Sequence, residues 1–126
     1  MSARQAVFCG ALLAALGVAA GAFGAHAFEA RLTDAGQLEN WRTAVRYQVW
    51  HALALIAVGL FGSGARSARL AALAFLAGSV LFSGSIYLLA LDLWSGVVWP
   101  LTPLGGLFLI VGWLAFAMAA WRAPRG

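Results

Sequence analysis

Residues 5–28 read QAVFCGALLAALGVAAGAFGAHAF, an unbroken uncharged run between Arg4 and Glu29. A mostly apolar run of roughly 18 or more residues is the pattern of a helix that crosses a bilayer. Working outward, the same pattern recurs at 47–65, 70–91 and 93–121, so about three quarters of the chain is free of charge. The whole sequence is 126 residues long, 63% hydrophobic and 10% charged, with a mean hydropathy of +0.90. Soluble domains carry about 25% charged residues. A soluble enzyme, a secreted domain and a nucleic-acid binder are therefore excluded, despite a net charge of +4. All the positive charges are arginine and they are sparse, not clustered into a phosphate-tracking stripe. The single cysteine, Cys9, excludes an internal disulfide and any multi-cysteine metal site.

The expected architecture is all-α: one integral membrane domain over 1–126, a four-transmembrane-helix bundle with spans at 5–28, 43–62, 70–91 and 103–121. The first span also carries features of a secretory signal, with Arg4 before it and the small-x-small sequence Ala25-His26-Ala27 at its end. Its apolar stretch exceeds the usual signal core, so it is expected to be retained. Asp34 with Gln37 three residues on has capping-box spacing and is expected to start a helix. Residues 35–43 are expected to lie as a short amphipathic segment in the interface, feeding the second span. Thr102 as N-cap with Pro103 at the first helical position is expected to open the fourth span.

Four spans put both termini on one side. That side carries Arg4, Arg66, Arg69, Arg122 and Arg125 without an acid, whereas all four acids fall on the other. Arginine excess marks the cytoplasmic face, so both termini are expected there. Trp41, Trp50, Trp94 and Trp99 are expected near the outer boundary as an aromatic belt, with Trp121 near the inner one. Helix association in lipid needs close backbone approach. Gly17 and Gly21 on the first span, Gly78 on the third, and Gly105, Gly106 and Gly112 on the fourth are the expected packing positions.

The polar residues that need an explanation collect toward the outer side: His26, Glu29, Arg46, Tyr47, His51, Tyr87 and Asp92. Ionisable groups at membrane depth are costly and usually face a partner within the bundle. Arg46 is expected to pair with Glu29 or Asp92 and staple the outer helix ends. Tyr47 and His51, four residues apart, share a helix face. His51 is expected to be a hydrogen-bonded ring and His26 an interfacial one. The sharper alternative has both histidines ligating haem iron, or a metal aided by Glu29, since imidazole suits both. Two histidines without a spacing motif are a weak signal, so neither a metal nor a cofactor is expected. No nucleophile–base pair or phosphate loop is present in the sequence.

Four stretches together carry a resemblance: Gly21-Ala22-Phe23-Gly24-Ala25-His26-Ala27; Thr43 through Leu55, with Arg46-Tyr47-Gln48-Val49-Trp50-His51 at its centre; Gly84-Ser85-Ile86-Tyr87-Leu88-Leu89-Ala90-Leu91; and Thr102-Pro103-Leu104-Gly105-Gly106 with Gly112-Trp113. In this order the chain resembles the YgdD/YwdK-type family of small membrane proteins, domain of unknown function 423. The resemblance implies a multi-pass protein, in bacteria of the cytoplasmic (inner) membrane, with relatives in mitochondria. Its motif positions fall on His26, Arg46, Tyr47, His51, Tyr87, Thr102, Pro103 and Gly105. Trp50 departs mildly, where the family pattern has a smaller aromatic. The family has no established activity, so no catalytic role carries over.

Small size, short loops, abundant packing glycines and the lack of a catalytic constellation lead to one functional expectation. The chain is a non-enzymatic accessory or assembly subunit, partnered by the lipid bilayer and by other membrane subunits or copies of itself, and not by nucleic acid. The competing expectation is a small-molecule or lipid-handling protein that uses the outer polar cluster.

Overall fold

In the computed structural model, which describes residues 1–124, the chain forms six helices: α1 (Ala3–Ala25), α2 (Glu29–Asp34), α3 (Leu38–Phe61), α4 (Arg66–Ala90), α5 (Ser95–Val98) and α6 (Leu101–Trp121). Four of these, with α5 and α6 taken as one continuous stretch, are long and apolar enough to cross a membrane. The fold is all-α, and no strand occurs among the described residues. Arg125, assigned above to the terminal side, lies outside them.

Local chemistry sets the ends. Ser2 caps α1: its hydroxyl accepts from the Gln5 N–H at 3.2 Å while its own N–H donates to Gln5 Oε1 at 2.8 Å. This reciprocal box starts the helix two residues before the charge-free run does. The expected box at Asp34 does not form. Asp34 instead ends α2, and Gly36, at φ +66°, turns the chain. Only glycine takes that conformation without strain. Gln37 then occupies the N-cap of α3, with its side chain accepting from Asn40 at 2.7 Å. The segment expected to lie flat in the interface is thus partly the first turns of one continuous helix. Trp41 is its buried anchor, packed with Leu32 and Ala90.

The start of α6 also differs from expectation. Pro100 holds the N-cap and Pro103 falls in the first turn, where backbone N–H groups lack intrahelical partners and proline is tolerated. Thr102 does not cap; its hydroxyl bonds Ser85 Oγ at 2.6 Å and ties α6 to α4.

The long helices pack in the order α1, α3, α4, α6, each chiefly on the next, with α1 and α6 at opposite edges of the row. The short helices α2 and α5 cap one end, and the start of α1, the end of α6 and the α3–α4 turn occupy the other. Phe75 and Leu55 are fully enclosed at the centre of an alanine-rich core. Small residues set the helix spacing. On α1 the buried positions are Ala6, Gly10, Gly17 and Gly24, a seven-residue repeat of glycines facing α3. A seven-residue repeat keeps one face of a helix against its neighbour over its whole length. The four-residue stripe through Gly17 and Gly21 is therefore only half used: a Cβ on Gly17 would come 2.8 Å from Val49, but one on Gly21 would stand 3.5 Å from Val45. Gly78 and Gly112 seat Leu109 and Phe75, where a Cβ would approach to 2.6 Å in each case. Gly105 lies against the backbone of Phe82, whereas Gly106 has ordinary clearance at 3.8 Å.

Candidate functional site

Depth within the span is read from which residues face each other. Val49 and Gln48 meet Gly17 of α1. Gly17 stands about twelve residues of helix, roughly 18 Å, from either Arg4 or Glu29. Gln48 therefore lies near the middle of the apolar slab, with Trp50 and His51 within about a turn of it. Trp50, expected in the outer belt, is instead close to mid-span.

Most polar side chains at this depth tie one helix of the chain to another. Gln48 donates to the Leu13 carbonyl of α1 at 2.8 Å and accepts from the Tyr87 hydroxyl of α4 at 2.8 Å, joining three helices through one amide. Trp41 donates to the Ala20 carbonyl at 2.8 Å, and Ser83 to the Ala44 carbonyl at 2.8 Å. Such bonds matter in lipid because water is not there to replace them. Ser79 Oγ is buried without a partner among the described residues.

His51 is held on both nitrogens. Its Nδ1 lies 2.7 Å from the Tyr47 carbonyl, which can only accept, so Nδ1 carries the proton. Nε2 then accepts from the Trp113 indole of α6 at 3.1 Å. No lone pair is left for a metal without breaking this bond. The metal alternative meets a second obstacle. His26 is the exposed C-cap of α1, whereas His51 lies beside Ala52, whose carbonyl faces Gly10. That offset is about sixteen residues along α1, roughly 24 Å. The two histidines are not brought together, and the described residues hold no group of three or more His, Cys, Asp or Glu placed for a metal.

The remaining candidates separate too. Tyr87 faces the α1–α3–α4 core, tilted against Trp41 with ring centroids 4.6 Å apart. Arg46 reaches neither Glu29 nor Asp92; it donates to Thr43 Oγ1 at 3.2 Å, within its own helix turn. The ion pair among the described residues is Arg42–Glu39 at 2.6 Å, on the exposed face of α3. Stapling of this end comes from Arg31, which donates to the Leu91 carbonyl at 3.0 Å. Glu29 opens α2 and is exposed. Asp92 sits in the α4–α5 loop at φ +56°. The expected polar cluster is thus not a single site.

Of the concave sites, one with apolar side chains alone lies between α4 and α6, and another, which gathers Tyr47, Trp50 and His51, lies between α3 and α6. The latter is an open groove of about 760 Å³, lined by Tyr47, Trp50, His51 and Leu53 of α3, Phe82 of α4, and α6 residues that include Pro103, Leu107 and Trp113. The Tyr47 ring packs against Phe82 and Trp50 in tilted pairs, with centroids 4.7 and 5.4 Å apart. The His51–Trp113 bond closes its end toward the termini. Gln48 and Trp113 stand in the motif stretches of the sequence but not among its candidate site residues, and Phe82 stands in neither. An amide, and a tryptophan far from the expected belt, inside apolar spans were the available signals.

A family described as a protein of unknown function, DUF423, matches residues 20–106. The chain is 40% identical over 117 residues to the UPF0382 membrane protein YwdK of Bacillus subtilis, covering 90% of this chain and 94% of that one. It is 41% identical over 108 residues to the UPF0382 membrane protein C1782.12c of Schizosaccharomyces pombe, covering 82% and 90%. A UPF0382 membrane protein of Haemophilus influenzae is 36% identical over 107 residues, covering 84% and 85%. No solved structure matches.

Proposed function

The chain belongs to the DUF423 family of membrane proteins, and on that premise we propose that it is a non-enzymatic accessory or assembly subunit of a larger membrane complex. The observation that carries this reading is the fate of the deep polar groups. Gln48, Tyr87, Trp41, Ser83 and His51 are bonded to this chain's own helices, so none stands free as a reacting group. A catalytic centre needs an acid, base or nucleophile within reach of a substrate position. What the chain offers outward is apolar helix surface, including residues such as Leu12, Leu16, Leu107 and Leu114 on the two edge helices.

The setting we propose is the bacterial cytoplasmic membrane, with both termini in the cytoplasm. The arginine asymmetry supports that orientation. Native gels in mild detergent test the assignment: migration in an assembly larger than the monomer, together with other membrane subunits, is the expected result. Migration solely as a free monomer or small homo-oligomer overturns it.

A further inference from the structure

We propose that the α3–α6 groove binds a membrane-soluble quinone, a flat ring bearing two carbonyl oxygens on an apolar tail. Two hydrogen-bond donors belong to residues of this groove. The deep donors Trp41, Trp113, Tyr87, Gln48 and Ser83 each have an acceptor, but Tyr47 and Trp50, which both line the groove, have none for the hydroxyl or the indole N–H among the described residues. They are open to the surroundings, at 36% and 55% exposure. At an aqueous surface that would mean nothing, because water would satisfy both. Near the middle of the apolar slab there is no water, and an unsatisfied polar group is expensive. Their acceptors must come from something that resides at that depth.

Depth then selects the ligand. Phospholipid ester carbonyls sit at the edge of a hydrocarbon core about 30 Å thick, roughly 15 Å from its middle. A quinone carries its acceptors on a hydrophobic ring that dissolves in the core itself. The walls suit such a ring: Tyr47, Phe82 and Trp50 present aromatic faces within stacking distance of one another, and flat π systems pack well against these. The volume, about 760 Å³, lies within the usual range for small-molecule sites of roughly 300–1,000 Å³. His51 and Trp113, already bonded to each other, form a wall and leave Tyr47 and Trp50 as the donors. The site is a binding site only; no electron transfer is assigned to it.

The test uses the full chain in phosphatidylcholine nanodiscs, titrated with decylubiquinone, with occupancy read by native mass spectrometry. Saturable one-to-one binding is expected. Tyr47→Phe and Trp50→Phe keep the aromatic bulk and remove one donor each, so each should weaken binding about three- to tenfold. Arg46→Ala, outside the groove, should leave binding unchanged. Decylbenzene, with the same tail and a ring without carbonyls, should compete poorly. Equal binding of decylbenzene, unchanged affinity in both variants, or non-saturable partitioning overturns the proposal. So does cross-linking from Leu107 showing that a second protein chain fills the groove.

Discussion

Alanine at two adjacent glycines of α6 should have opposite effects. A Cβ on Gly105 would fall within 3 Å of the Phe82 N and Cα and of the Leu81 carbonyl carbon, all backbone atoms of α4. A side chain can rotate away from such a contact, but a helix backbone cannot. Accommodation therefore requires α4 and α6 to part along an interface that Gly78–Leu109 and Gly112–Phe75 also hold. Overpacking of this kind costs about 1–3 kcal/mol, and the better helix propensity of alanine offsets about 1 kcal/mol. Gly105→Ala should lose up to about 2 kcal/mol, raising the unfolded fraction as much as about 30-fold. At Gly106 the Cβ would sit 3.8 Å from the Phe82 ring, an ordinary contact, so only the propensity gain remains. Gly106→Ala should be neutral or up to about 1 kcal/mol more stable. Unfolding in a graded series of SDS in mixed micelles, followed by tryptophan fluorescence, measures both. Equal shifts, or a larger loss at Gly106, would refute the close approach of α4 and α6 on which the helix order rests.

Three further outcomes are expected. Reporter fusions at Gly126 and within the Arg66–Arg69 turn should both read cytoplasmic, and a mixed result contradicts the four-span orientation. Trp113→Phe removes the donor to His51 Nε2 and should cost about 1 kcal/mol, whereas Trp121→Phe, at 85% exposure, should stay within about 0.5 kcal/mol; the same SDS titration compares them. Protein purified without added metal should show no haem absorbance and no stoichiometric metal, and its SDS-unfolding midpoint should not move with a chelator. A Soret band that His51→Ala abolishes would mean that the ring is available as a ligand after all.

The four spans were legible because charge is the dominant cost in lipid, and long charge-free runs stand between the charged residues; Arg42 and Arg46, inside α3, are the exceptions. The ends were less so. Asp34 has the residue type and spacing of a cap, yet the left-handed turn at Gly36 places it at the end of a helix, since a one-residue change in where the chain turns reverses the role of its neighbours. Thr102 has cap chemistry too, but a hydroxyl 2.6 Å away on α4 claims it. The polar cluster was legible as a composition and illegible as a geometry. His26 and His51 share a predicted end of the bundle, but the pairing of Ala52 with Gly10 sets them far apart along α1. Arg46 is exposed on α3 while Tyr87 turns inward to Gln48, and which face meets which helix follows from packing order, a property that no single span encodes. Gln48, the amide that joins three helices, shows only as one uncharged polar residue beside more conspicuous neighbours.

The central claim is that the deep polar groups hold this chain's own helices together, and a double-mutant cycle on Gln48 and Tyr87 tests it most directly. Gln48→Leu and Tyr87→Phe each remove one side of the 2.8 Å bond between α3 and α4. Stability of the two single variants and the double variant, measured by the same SDS titration, should show a coupling of about 0.5–2 kcal/mol. Strictly additive losses would mean that the two groups do not hold each other, and the structural account of the deep polar residues would fail.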